Sequence, residues 1–254
     1  MDDGAAQRLD DAEQDVPKAE RRKVPESGAP WNDVENVIFT RRSVRLYRDK
    51  QVPEYLVRRM LEAARYAPSA GNCQPWRFVV VRDGVMLDEM TGFIREKIGL
   101  VSTWLDYTRP EGRAKRWVTE RLMRLRPNDV HPTPLAAFSA IADGKLAIWH
   151  GAPTVIFLLA DMRGAGSPLL DAGIAGQNMV LTAHSMGLGT CWVSFAKVLE
   201  MSKKYRDILQ LKHPYKLATS IAVGFPRGVP DGYVPRETHE SLWIEDGGKT
   251  RVVT

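Results

Sequence analysis

Residues 67–82 read APSAGNCQPWRFVVVR, and the way this stretch divides decides the fold. Proline at 68 disfavours helix for the residue before it, so a helix arriving from upstream stops at Ala67. Ser69-Ala70-Gly71-Asn72-Cys73-Gln74 then forms a short polar loop, and Pro75-Trp76 opens a β-rich run through Arg77–Val81. The small residues let the backbone come close to something flat. Asn72 and Gln74 place amide donors and acceptors at the same spot. A helix, a polar loop and a strand in that order build one wall for a planar ring with a polar edge.

The surrounding chain gives this wall a frame. Upstream, Asn32 or Asp33 can cap a helix whose apolar face is Val34, Val37 and Ile38. Arg41-Arg42-Ser43-Val44-Arg45 follows, and then Pro53 in the first turn of a helix with Leu56, Met60, Leu61 and Ala64 on one face. Downstream, the pattern predicts a strand at 76–82 and a helix at 86–98. A basic, irregular insertion covers 104–134, with a helix at 113–125 broken by Pro127, Pro132 and Pro134. A helix at 140–149, a buried strand at 154–160 and a helix at 171–186 come next. The last of these is rich in small residues (Ala172, Gly173, Ala175, Gly176), which permit close packing. Gly187-Leu188-Gly189 turns into a strand at 190–193, followed by a helix at 197–209 and a strand at 218–225 ended by Pro226. Interleaved helices and strands imply α/β or α+β with one core.

Charge and composition narrow the function. The 254 residues carry a formal net charge of +5, but residues 1–30 hold eight acids and five bases, leaving +8 on the rest. That sign suits an anionic cofactor, substrate or nucleic acid. Residues 1–30 are polar and nearly free of aromatics, and are expected to be a disordered acidic arm ahead of a single domain at 31–254. Two cysteines, Cys73 and Cys191, make no disulfide framework. No apolar leader is present, and the longest apolar run, 155–160, is too short to span a bilayer. The chain reads as cytoplasmic, with no membrane partner.

Three segments carry candidate chemistry. Arg41, Arg42, Ser43 and Arg45 place three guanidiniums and a hydroxyl within five residues, which suits a phosphate; the plain alternative is a solvated basic face. The loop at 69–74 is a ring wall or a mere connection. Gly187–Ser194, GLGTCWVS, is a tight turn feeding a functional strand or an ordinary helix C-cap. Other motifs are weaker. Ala183-His184-Ser185-Met186-Gly187 resembles a hydrolase nucleophile elbow, but that elbow needs strand, turn, helix, and the predicted order is the reverse. The five histidines show no metal spacing, and no phosphate loop or dinucleotide fingerprint is present. Cys73 reads as a small packing residue rather than a redox thiol.

Taken together, RRSVR at 41–45, APSAGNCQPWRFVVV at 67–81, the small-residue helix, GLGTCW at 187–192 and IAVGFP at 221–226 form one ordered set. From about residue 34 to 243 the chain resembles the nitroreductase-like FMN-dependent oxidoreductases. The resemblance implies an α+β three-layer fold, a central, mostly antiparallel sheet flanked by helices, and an intertwined homodimer with FMN between subunits. By the same resemblance, Arg41, Arg42, Ser43 and Arg45 hold the FMN phosphate and ring edge. Pro68, Ser69, Ala70, Asn72 and Gln74 line the flavin, partly from the other subunit. The backbone of Cys191, Trp192, Val193 and Ser194 faces the pyrimidine side and N5, and Arg236 reaches the phosphate. Neither a catalytic acid or base nor a metal ligand is assigned.

The implied activity is hydride transfer from NAD(P)H through FMN to a small aromatic or conjugated acceptor, in ping-pong order. The insertion at 104–134, with Trp104, Tyr107, Arg113 and Arg116 as candidate substrate contacts, would lid the flavin and favour anionic ligands. A nearby Ser194 hydroxyl, and Arg116-Trp117-Val118-Thr119 in the insertion, are also reminiscent of the iodotyrosine-deiodinase-like branch, which makes a reductive dehalogenase the second reading. A third branch consumes its own flavin to make a benzimidazole. A non-catalytic flavin binder, or a nucleic-acid binder using the basic insertion, are the remaining alternatives; a basic patch alone is weak support for the latter.

Overall fold

The computed structural model describes residues 30–105, 117, 121, 140–228, 234, 236–237 and 239–253, with 101–105 described as backbone only. The expected arm up to residue 29, and Tyr107, Arg113 and Arg116, lie outside the described residues, as does the Trp104 side chain; of the helix expected at 113–125 only Trp117 and Arg121 are described, both helical and exposed. The chain divides into two units: Arg42–Pro230, and Met1–Arg41 together with Asp231–Thr254.

The larger unit is built around β2 (Thr154–Asp161), whose sequence TVIFLLAD is apolar almost throughout and buried on both faces. A strand with no polar face needs cover on both sides, and the chain supplies it. β1 (Trp76–Val81), β2, β4 (Tyr215–Gly224) and β3 (Gly189–Val193) form a four-stranded sheet in the order β1-β2-β4-β3, with every neighbouring pair antiparallel. Val155, Phe157 and Leu159 point to one face, where they meet Leu87, Met90, Ile94 and Ile98 of α3 (Gly84–Leu105). Ile156 and Leu158 point to the other, against α2 (Glu54–Arg65) and α4 (Pro168–Ser185). The result is the expected three-layer α+β arrangement.

One irregularity keeps both faces apolar. Leu158 pairs with Thr219 but Leu159 pairs with Leu217, so Ala218 is an extra residue on β4. Side chains alternate with period two, and a one-residue bulge reverses the faces beyond it. Leu217 therefore joins Ala222 on the α3 face, although its odd number would otherwise set it beside Ile221 and Val223.

Two expected helices are different in kind. Over 140–149 only residues 140–142 are helical; Gly144, His150 and Gly151 adopt positive φ values of 74°, 54° and 70° and turn the chain repeatedly. The run at 197–209 divides into a 3-10 segment, Ser194–Met201, and α5 (Lys203–Ile208), with extended Ser202 between them.

In the smaller unit, α1 (Asp33–Thr40) begins with a reciprocal capping box. The Asn32 side chain accepts from the Glu35 N–H at 2.9 Å, and Glu35 accepts from the Asn32 N–H at 2.9 Å. A hairpin of β5 (Ser241–Ile244) and β6 (Thr250–Val253) was not anticipated. No described helix is long and apolar enough to cross a membrane.

Candidate functional site

The expected ring-binding residues of the larger unit fall into two groups at opposite edges of the sheet. The first group lies along β3. Ser43 forms a parallel bridge with Thr190, and the Val44 N–H donates to the Thr190 carbonyl at 2.9 Å. Farther on, Tyr47 bridges to Pro226, and its hydroxyl donates to the Val44 carbonyl at 2.7 Å. Tyr47 is buried, and burial, reinforced by Cys191 and opposed by Arg45, raises its phenol far above the usual range. The hydroxyl therefore stays protonated and acts as a fixed donor that pins the segment. Its side chains then sort themselves: Val44 packs inward, Arg42 is half-buried, and Ser43 and Arg45 stay exposed.

This docking requires glycine at 189. A Cβ there would lie 2.7 Å from Val44 Cβ and 2.8 Å from each of its γ-carbons. The small residue in GLGTCW is thus a seat for the valine of RRSVR, a pairing the sequence reading did not make. The alternation of the valine with its polar neighbours was the available signal.

β3 is an edge strand, so half of its backbone polar groups point away from β4. The Thr190 carbonyl meets Val44 on that open side. By the two-residue alternation, the Trp192 N–H and carbonyl face the same way. The side chains of Cys191 and Val193 are buried toward α3, and Trp192 packs half-buried on the opposite face. What β3 leaves open is therefore backbone, plus the exposed Ser194 at its end.

The second group is the loop between α2 and β1. A single 3-10 turn, Ala70–Asn72, carries it, and Gly71, Asn72 and Gln74 have φ values of 58°, 52° and 46°. Such values are rare for a side chain as long as glutamine. They are held by the Ser69 hydroxyl, which accepts from the Gln74 N–H at 2.9 Å. The Gln74 amide in turn donates to Asn72 Oδ1 at 3.2 Å. Asn72, Cys73 and Gln74 are exposed. Cys73 is consequently not the packing residue that the sequence suggested; the loop turns it outward as a free thiol.

The two groups cannot meet within one chain. β1 and β3 are separated by β4 and β2, three strand spacings or about 14 Å. The Ser43–Thr190 end of the first group is also displaced along the strands, whereas Val193 lies in the row of Ser220 and Phe157, nearer the loop. Thr190 lies in the row of Val223 and Thr154, whereas the loop enters at Trp76 in the row of Ala160. Six residues of β2 separate those rows, about 20 Å of strand.

Arg41 and Arg236 belong to the smaller unit, where the Arg41 N–H caps α1 by donating to the Val37 carbonyl at 3.2 Å and Arg236 is exposed. His150 is a charged-site neighbour that sequence reasoning missed. Burial, and then the field of Arg45, hold its pKa below the usual value. Unfolded His150 takes up a proton near its ordinary pKa while the folded one resists, so stability falls as pH drops below about 6.5. Urea denaturation at pH 7.5 and 5.5 should show this loss, and His150→Gln should reduce it.

The decoy motif is resolved by order alone. Ser185 closes α4, its hydroxyl donates to the Thr182 carbonyl at 2.9 Å, and a turn through Gly187 leads into β3. Helix, turn, strand leaves no exposed nucleophile elbow. Among the described residues, no group of three or more His, Cys, Asp or Glu is placed to hold a metal.

Comparison with known proteins adds the lineage. The Nitroreductase family matches residues 38–225. An Archaeoglobus fulgidus relative bearing the provisional name NADH dehydrogenase/NAD(P)H nitroreductase is 27% identical over 82% of this chain and 97% of its own length. Mouse iodotyrosine deiodinase 1 is 31% identical, over 50% of this chain and 47% of its own. A Desulfitobacterium hafniense nitroreductase crystallised with bound FMN superposes with a TM-score of 0.57 at 22% identity, over 81% of this chain and 95% of that one, a likeness of fold. With the family matched across nearly all of the larger unit and the three-layer sheet in place, the chain belongs to the nitroreductase family.

Proposed function

We propose that this protein is an FMN-dependent oxidoreductase that takes hydride from NAD(P)H and delivers it to a small, conjugated acceptor such as a nitroaromatic, quinone or enone. One observation carries the reading: a basic, backbone-open edge at β3 and an amide-bearing loop at β1, each suited to one part of a flavin, stand at opposite edges of the sheet, an arrangement that a second copy of the chain would complete. The protein works as a homodimer in which the β3 edge of one chain faces the 69–74 loop of the other.

The residues present fit the cofactor. Arg42 and Arg45 supply guanidiniums for a phosphate of charge near −2. The Trp192 backbone and the Ser194 hydroxyl offer donors and acceptors to a ring edge, and Asn72 and Gln74 do the same from the partner. FMN contributes the hydride chemistry at N5. The chain's part is to bind, orient and desolvate the ring and to leave its other face open. No side chain is assigned as a catalytic acid or base.

The test is the spectrum of the purified protein and its response to reduced nicotinamides. The protein should be yellow, or become so with added FMN, and NADH or NADPH should bleach the band near about 450 nm within seconds. A colourless protein that cannot be loaded overturns the reading. Ser194, exposed at the end of β3, favours a second reading in which the same site removes halide from a halogenated phenol, the chemistry named by the deiodinase relative. Halide release from iodotyrosine under reducing conditions would support it.

A further inference from the structure

At the end of the sheet where the 69–74 loop enters, a second cationic feature stands outside the flavin groups. Arg77 lies on β1, on the α3 face. Its side chain reaches over Leu159 of β2 to β4, where its guanidinium stacks 3.9 Å from the centre of the Tyr215 ring. Stacking fixes the plane of a guanidinium and leaves its edge donors free. Among the described residues, Arg77 has no hydrogen-bond acceptor and no carboxylate partner.

The surroundings are basic. Asp161 pairs across the sheet with Tyr215, but its carboxylate is already engaged. Arg163 donates to it from Nε at 3.0 Å and from a terminal nitrogen at 2.7 Å, and its own N–H donates at 3.0 Å. Those bonds, together with His213, hold the Asp161 carboxyl at about 2. Lys212 and His213 are exposed on the turn leading into β4, where the Tyr215 N–H closes onto the Lys212 carbonyl at 2.8 Å. The acid is thus occupied by one arginine, while a second, preoriented arginine has nothing to bind.

We infer that Arg77, held on Tyr215 and supported by Lys212 and His213, is a subsite for the 2′-phosphate of NADPH and makes the protein selective for NADPH over NADH. The inference rests on the proposed flavin reading for its place in the reaction. The place fits: the Asp161 N–H donates to the Pro75 carbonyl at 2.7 Å, so the patch is continuous with the loop that carries Asn72 and Gln74. Its size fits as well. From β1 to β4 is two strand spacings, about 10 Å. The Arg77 side chain covers that span, so what the patch presents is a single guanidinium edge, suited to one phosphate, whereas a protein partner needs roughly 800 Å² of surface on each side.

Two measurements test this on the full-length protein. In steady-state kinetics the FMN-loaded enzyme should use NADPH with a kcat/KM at least about tenfold above that for NADH, the worth of a charge-assisted bond. Arg77→Gln should abolish the preference by raising KM for NADPH, with NADH kinetics changed less than about twofold. Tyr215→Phe keeps the stack and should keep the preference; Tyr215→Leu should lose most of it. In calorimetry, adenosine 2′,5′-bisphosphate should bind the protein with or without flavin while 5′-AMP should not, and Arg77→Gln should eliminate the difference. A preference that survives Arg77→Gln, or a protein that binds neither the bisphosphate more tightly than 5′-AMP nor NADPH more tightly than NADH, overturns the inference. Failure to load FMN would defeat the flavin reading alone, because the calorimetric arm does not depend on it.

Discussion

Gly189→Ala should release FMN while leaving the sheet folded. The added Cβ would lie 2.7 Å from Val44 Cβ, and the obstacle is a β-branched side chain fixed by its own backbone bond to Thr190. Something must move, and the mobile party is the 42–45 segment, since Gly189 is held in register opposite Gly224. Displacing that segment misaligns Arg42, Ser43 and Arg45 together. Losing one charge-assisted phosphate bond corresponds to roughly a 10- to 100-fold rise in the FMN dissociation constant. Overpacking itself should cost about 1–3 kcal/mol, a fall of roughly 2–10 °C in the unfolding midpoint at this chain length. Flavin fluorescence titration and thermal unfolding measure the two effects separately. Val44→Gly removes every atom contacted, so the double variant should regain part of the FMN affinity lost by Gly189→Ala. Full affinity in Gly189→Ala alone would disprove the coupling.

Gly176→Ala should be a comparably damaging change with a different signature. Gly176 is the point where α4 lies against the sheet. An added Cβ would overlap the Trp192 ring and come within 2.6 Å of Leu158 Cδ2. Neither neighbour can yield cheaply, because Leu158 is fully buried on the central strand and the ring is clamped between helix and sheet. A loss of about 1–3 kcal/mol is expected. Since Trp192 also carries the open backbone edge of β3, FMN binding should weaken with stability, whereas Gly189→Ala should affect binding disproportionately. Comparing the two variants in urea and in FMN titration distinguishes packing failure from loss of the phosphate segment.

Much of this was legible in the sequence, and the misses have physical causes. The continuous apolar run of β2, the stop at Pro68 and the small residues of α4 are local signals, and each gave the element found. The loop was also read correctly as polar and tight, because Ser, Gly, Asn and Pro act within a few residues of themselves. What could not be read was where the two halves of the candidate site stand. That depends on the strand order β1-β2-β4-β3, a pattern of pairings between residues from 27 (Val193 and Ser220) to 84 (Trp76 and Ala160) positions apart, far beyond the reach of local signals. The helix expected at 140–149 failed because left-handed Gly144 ends it after residue 142, and left-handed His150 and Gly151 turn the chain again just beyond it. The run at 197–209 failed at Ser202, where a helical pattern continues through a residue that is extended. The β5–β6 hairpin had a usable signal, Asp246-Gly247-Gly248 between two short β-prone runs, which was passed over.

In the proposed homodimer, the separation of the two groups to opposite edges of the sheet has a thermodynamic consequence. When half of a cradle comes from each of two chains, cofactor binding and subunit association are a single linked equilibrium. Any ligand that binds the pair better than the separate chains must, by reciprocity, hold the pair together by the same factor. FMN affinity should therefore depend on protein concentration, weakening on dilution even with flavin in excess of the chain. A cell that runs short of flavin would lose assembled enzyme as well as coloured enzyme, and the concentration of the chain itself becomes a control on how much of it is active.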